Sequence, residues 1–175
     1  LTAYARGVKP LAALLVLGAI PTVTPVAHAD AVVADLGLHV IGAGVHHALT
    51  PRQVLAVDLD FYGPWTTEQH QGLTTSALMG AVVRVRPFLF RDAGATGWWL
   101  SPFAQLGVGW GAYPDGRHAG AVWAVGAAIG HAWQLGPLTL LVGLGAQYHH
   151  ADVGAGPPSF AGLWPHADAI VGWTF

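Results

Sequence analysis

Beyond its first fifty residues the chain alternates apolar side chains with glycine or polar groups, in blocks of about ten to fifteen residues separated by turn chemistry. In "LTLLVGLGAQYH" the residues Leu138, Leu140, Val142, Leu144, Ala146 and Tyr148 share one side of an extended strand. Thr139, Leu141, Gly143, Gly145, Gln147 and His149 share the other. "AQLGVGWGAY" splits in the same way, Ala104, Leu106, Val108, Trp110 and Ala112 against Gln105, Gly107, Gly109, Gly111 and Tyr113. The pattern predicts strands at Val54 to Tyr62, Thr75 to Phe88, Trp99 to Tyr113, Gly120 to Trp133, Leu138 to His149 and Leu163 to Phe175. "TPRQ", "RDAGATG", "PDGR" and "QLGP" are the short connectors, and Gly63 to Leu73 and Ala151 to Gly162 the longer ones. Val32 to Leu49 is either two short strands broken near Gly42 to Gly44 or one long strand; two bring the total to eight, the even number expected of a small bacterial barrel.

One face of these strands is apolar and the other is glycine with scattered polar groups. A barrel in water needs a broad charged exterior, whereas a narrow glycine-rich face suits a crowded interior. Composition points the same way. Hydrophobic residues make up 53% and charged residues 9% of the 175, against about a quarter charged in soluble domains. After the first thirty residues no apolar run is long enough for a membrane helix. Lipid accepts only helices or closed sheets, so the fold class read here is all-β, an antiparallel up-and-down transmembrane β-barrel.

Residues 1–29 have the composition of an export signal, which leaves the barrel to 30–175. Arg6 and Lys9 precede the apolar run Leu11 to Ile20, and "VAHA" before Asp30 offers small residues for cleavage. Cleavage after Ala29 leaves five arginines, no lysine and nine carboxylates, a net charge of −4. No basic face remains for nucleic acid. The chain has no cysteine, which excludes disulfides and thiolate metal sites.

Aromatic residues are predicted to form two belts at the strand ends. Tyr62, Trp65, Trp110, Tyr113, Trp123, Tyr148 and Trp164 gather at one end, and Phe88, Phe90, Trp98, Trp99, Trp133, Trp173 and Phe175 at the other. Centres of glycine, alanine, valine and leucine flanked by two such belts match what two membrane interfaces select.

The leader, the glycine-alternating strands "LGVGWGAY" and "LLVGLGAQY" and the ending "IVGWTF" resemble the small outer-membrane β-barrel proteins of the OmpA/OmpX-like eight-stranded superfamily. Within it the likeness is to a group of small porin-like barrels of unassigned function. The resemblance covers residues 30–175. It implies the outer membrane of a Gram-negative bacterium, contact with outer-membrane lipid, and an assembly signal for the barrel assembly machinery at Val171, Trp173 and Phe175, with Ala169 in step.

Candidate chemistry falls on the inner face. Asp58 and Asp60 share one face of a strand, Arg84 and Arg86 one face of the next, and His166 and Asp168 one face of the last. Gln105 and Gln147 join them in an expected polar network of the lumen, paired because buried charge is costly alone. His149, His150, Asp152 and His166 collect near one loop, but His149 and His150 are adjacent and point to opposite faces, as do His46 and His47. No metal or other cofactor is expected. Catalysis needs a serine beside a positioned histidine; only Ser76, Ser101 and Ser159 follow the leader, and Glu68, the one glutamate, lies in a loop. The expectation is a non-enzymatic outer-membrane barrel with a structural or surface-interaction role through its loops and an extracellular partner of unspecified kind. The alternative is a soluble exported barrel that binds a small apolar ligand, and a lipid-modifying enzyme stands behind both.

Overall fold

The computed structural model describes residues 30–38, 40–62, 79–113, 116–153 and 160–175. Their strands are β1 (Ala31–Gly37), β2 (Val40–Thr50), β3 (Gln53–Tyr62), β4 (Met79–Phe90), β5 (Gly97–Tyr113), β6 (Gly116–Leu135), β7 (Leu138–Asp152) and β8 (Phe160–Thr174). Each pairs antiparallel with its neighbour in sequence, and β1 pairs with β8 from Ala31 opposite Thr174 to Gly37 opposite Asp168. That last ladder closes the ring, so no strand keeps an unpaired edge. The termini of the barrel, Ala31 of β1 and Thr174 of β8, lie at one end with the turns at 51–52, 91–96 and 136–137, and the remaining strand-to-strand connections lead off at the opposite end.

The N-terminal block is two strands, but the chain turns between Gly37 and Val40 and not near Gly42 to Gly44. Gly42 and Gly44 lie within β2, opposite Asp60 and Asp58, and a Cβ at either would overlap the facing carboxylate. These glycines make room for charge in the lumen. Elsewhere the strands run past their expected limits: β6 starts at Gly116, β7 continues to Asp152, and β8 begins at Phe160. The start expected at Thr75 lies outside the described residues, as do residues 1–29 of the expected leader.

Alternation sorts the ring into two surfaces of opposite character. Outward positions are apolar along all eight strands, for example Val32, Val45, Leu59, Val83, Leu106, Ile129, Leu144 and Val171. Among the described residues the outer face of the strands carries fixed charge only at Arg117 and Asp152, both beside connections at the end away from the termini. Inward positions hold the remaining charged residues of the strands, with glycine and apolar residues from alanine to tryptophan between them.

One ladder has a gap. β4 and β5 pair at Val85 with Ala104 and again at Leu89 with Leu100, and that register sets Pro87 opposite Pro102. Neither proline has an N–H to give. Placed opposite each other, the two share a single interruption, while Pro87 still aligns with Leu55 and Pro102 with Ala127 on their other sides.

Candidate functional site

The strongest concentration of chemistry is a set of ion pairs across the middle of the lumen. Arg84 and Arg86 occupy alternate positions of β4 and so project together into the barrel, toward β8 on the opposite wall. Arg84 pairs with Asp35 through Nη2, places Nε 2.8 Å from Asp60 Oδ2, and donates from Nη1 to Asp168 Oδ1 at 3.3 Å. Arg86 places Nη2 2.6 Å from Asp35 Oδ2, Nε 3.0 Å from Asp58 Oδ2 and Nη1 3.1 Å from Asp168 Oδ2. Asp35 and Asp168 thus each bridge both guanidinium groups. Asp35, Asp58, Asp60, Arg84 and Arg86 are at most 1% exposed.

The planar fork of arginine suits this arrangement, since several donors can meet several carboxylates at once. His166 adds a contact at 2.9 Å from Nε2 to Asp168 Oδ2, and its ring packs 4.4 Å from that of Phe103. On the other side the Arg86 guanidinium lies 5.0 Å over the Phe88 ring. The network draws on β1, β3, β4 and β8, which are far apart in sequence, and ties opposite walls together. Removing one member of such a set strands the others in a dry interior, which costs about 3 to 5 kcal/mol in comparable cases.

Apolar layers lie on both sides of the charges. Toward the termini, Phe88 and Trp99 meet edge to face at 5.1 Å within a cluster that includes Val33, Val54, Leu141 and Ile170. Toward the opposite end, Val40, Val82, Val122, Ala151 and Val153 form a second cluster. The large rings fit because glycines face them: a Cβ on Gly130 or Gly143 would enter the Trp99 indole, and one on Gly126 would meet Phe103.

The structure places all eight residues of the expected polar network inside. Asp58, Asp60, Arg84, Arg86, His166 and Asp168 form the ion-paired set, while Gln105 and Gln147 are buried on the same inner surface, Gln105 opposite Arg84. Asp35, the carboxylate that joins both arginines, is the member that sequence reading missed. Its signal was present: it is the lone charge in an otherwise apolar strand, and a charge in such a strand must find a partner. His46 was also set aside, yet it faces inward with Nε2 3.9 Å from Asp58 Oδ1.

The aromatic assignments divide by face. Trp98, Trp110, Trp123, Trp133 and Tyr148 lie on the outer wall near its two rims. His131 sits between Trp98 and Trp133, with ring centroids 5.5 and 4.5 Å away, and His150 stacks on Trp123 at 5.2 Å. Trp99 is corrected: it points into the lumen and is 2% exposed, as strand parity demands once Gln105 is inside. Phe88 and Phe90 are inward for the same reason. Trp164 falls on the inward register of β8 with His166 and Asp168. Tyr113 and Tyr62 belong to β5 and β3, their side chains lying outside the described residues, as does Trp65. Val171, Trp173 and Phe175 line up on the outer face at the C-terminal end.

For metal or catalytic chemistry the geometry is sparse. His149 and His166 face inward while His150 and Asp152 face outward, and among the described residues no three such side chains are placed to hold one ion. Ser101 is buried inside the barrel with no hydrogen-bond partner for its hydroxyl, so among the described residues no histidine is positioned to take its proton. Ser76, Ser159 and Glu68 lie outside the described residues. Comparison with protein families, with curated proteins and with solved structures finds no match for the chain.

Proposed function

We propose that this chain is a non-enzymatic outer-membrane protein of a Gram-negative bacterium, an eight-stranded barrel that spans the bilayer around a sealed polar lumen. Its role is structural or one of surface interaction, exerted through the connections at the end away from the termini. One observation carries the reading: the ring is apolar outside and charged inside. Water around the wall would leave a continuous apolar belt far larger than the patches soluble monomers tolerate. Lipid around it removes that cost, and a closed sheet leaves no open strand edge in hydrocarbon.

Further support comes from the belts. Trp98, Trp133 and Trp173 stand near one rim and Trp110, Trp123 and Tyr148 near the other, where amphipathic rings are favoured at an interface. The cross-lumen ion pairs support an interior that is blocked at its middle and conducts nothing. The resemblance to OmpA/OmpX-like barrels agrees, and on that likeness Val171, Trp173 and Phe175 would engage the barrel assembly machinery. No cofactor enters this account. The soluble alternative calls for a polar exterior, which this wall does not offer.

Fractionation of Gram-negative cells expressing the full chain tests the proposal. Recovery with the outer membrane, with a band whose gel mobility changes on boiling, is the expected result. Release with the soluble periplasmic contents would overturn it.

A further inference from the structure

The ion pairs of the lumen do not balance. Four buried carboxylates, Asp35, Asp58, Asp60 and Asp168, face two guanidinium groups, an excess of two negative charges inside a closed wall. Uncompensated charge is costly in a dry interior. Among the described residues no three side chains are placed to hold a metal ion as the counter-charge.

Hydrogen-bond donors are short as well. Asp168 accepts at both oxygens, from Arg84, Arg86 and His166, whereas Asp35 accepts only at Oδ2. Neither oxygen of Asp58 or Asp60 accepts a hydrogen bond, although Arg86 Nε and Arg84 Nε lie 3.0 and 2.8 Å away. His46 adds an independent observation. It is 93% buried, its Nε2 makes no hydrogen bond, and that atom stands 3.9 Å from Asp58 Oδ1. Two hydrogen bonds in line need about 5.5 Å, so no water fits on the line between them, and two buried polar atoms left in that condition call for an explanation.

We propose that the lumen network is a proton-binding site that takes up two protons from water as the barrel closes, one on the Asp58 carboxyl facing His46 and one on the His166 imidazole facing Asp168. The set then holds three carboxylates, two guanidinium groups and one imidazolium, and its charge is zero. Arg86 lies 5.0 Å over the Phe88 ring and His46 packs 5.2 Å from the same ring, so a second cation at His46 would be repelled and the carboxyl carries the first proton. His166 is placed to carry the second, with Nε2 2.9 Å from Asp168 Oδ2. On the other walls Gln105 of β5 and His149 of β7 stand in the row of Arg84, and His118 of β6 lies in the inward register nearer the far rim. His46 also lines a cavity of about 260 Å³ at the end where β1 begins and β8 ends, which gives solvent protons a way to Asp58 past its ring.

The inference rests on the closed lumen alone and stands or falls separately from the reading of the outer wall. Its test is urea unfolding of the purified full chain as a function of pH, in phosphatidylcholine vesicles or in buffer, whichever holds it folded. Between about pH 7.5 and 9 the aspartates and histidines of the unfolded chain carry no protons. Each proton held only by the folded barrel therefore lowers the folding equilibrium about 10-fold per pH unit. Two protons predict a fall of about 100-fold per unit, and Asp58→Asn and His166→Gln should each reduce it to about 10-fold. A fall of less than about 10-fold per unit in the unaltered protein would overturn the proposal. Infrared spectra of the unaltered chain carrying isotope-labelled aspartate give a second reading that needs no variant to fold. The carbonyl stretch of a protonated carboxyl is expected at about pH 8, where free aspartate is fully ionised, and carboxylate bands alone would overturn the place given to Asp58.

Discussion

Replacement of Leu144 by arginine puts the reading of the outer wall under direct load. Leu144 is 68% exposed on β7, between Ile129 of β6 and Ala167 of β8. Four residues away on one side is Leu140, the partner of Trp133, and four away on the other is Tyr148. Each interval is about 14 Å along an extended strand. At a tilt of about 40° that is about 10 Å along the barrel axis, so Leu144 falls near the middle of the outward apolar band, which in a membrane barrel is about 25 Å tall. An arginine there costs about 2 to 4 kcal/mol, or roughly 30- to 700-fold in the folding equilibrium. The assay is urea unfolding of the barrel in phosphatidylcholine vesicles, followed by heat-dependent gel mobility, with Ala93→Arg in the exposed turn as control. If water bathes the wall, Leu144→Arg should stay within about 0.5 kcal/mol, as exposed substitutions do. Equal midpoints for Leu144→Arg and Ala93→Arg would refute the facing of the barrel.

Four other outcomes follow from the lumen and from β8. Arg84→Gln removes the charge shared by Asp35, Asp60 and Asp168 and should cost about 3 to 5 kcal/mol in the same unfolding assay, with Arg84→Gln/Asp35→Asn less unstable than the sum of its two single variants. Gly143→Val drives a side chain into the Trp99 indole and should destabilise by about 1 to 3 kcal/mol; Trp99→Leu in the same chain should recover part of the loss. In a planar lipid bilayer the unaltered barrel should pass no current, and sustained single-channel steps would contradict a sealed lumen. Phe175→Asp, which alters the outward row Val171, Trp173 and Phe175, should lower the yield of heat-modifiable barrel in cells.

Much of the fold was legible because a half-buried strand has a period of two, and one wrong register would turn every apolar residue of that strand to the other face. Gln105, Gln147 and Asp168 betrayed the inner side of their strands, and everything in phase with them followed. Trp99 shows the limit of reading by height alone: its position near a strand end suggested an interface, while its parity with Gln105 already sent it inward. The turn between β1 and β2 was misplaced because glycine signals both turns and close approach. Gly42 and Gly44 serve the second purpose, and only the register with Asp60 and Asp58 reveals it. The partners of Arg84 and Arg86 were not legible, since closure of β1 on β8 brings together residues at opposite ends of the chain. Asp35 meets both arginines through that closure.

The central claim is that the outer wall faces hydrocarbon. The chain has no cysteine, so single cysteines at Leu140, Val142, Leu144, Ala146 and Tyr148 can each carry a nitroxide spin label in vesicles. Oxygen, which concentrates in lipid, should broaden these signals most at Leu144, and a water-soluble nickel chelate should act least there. Strong broadening by the nickel chelate at Leu144, equal to that at a label in the turn at 91–96, would contradict the account.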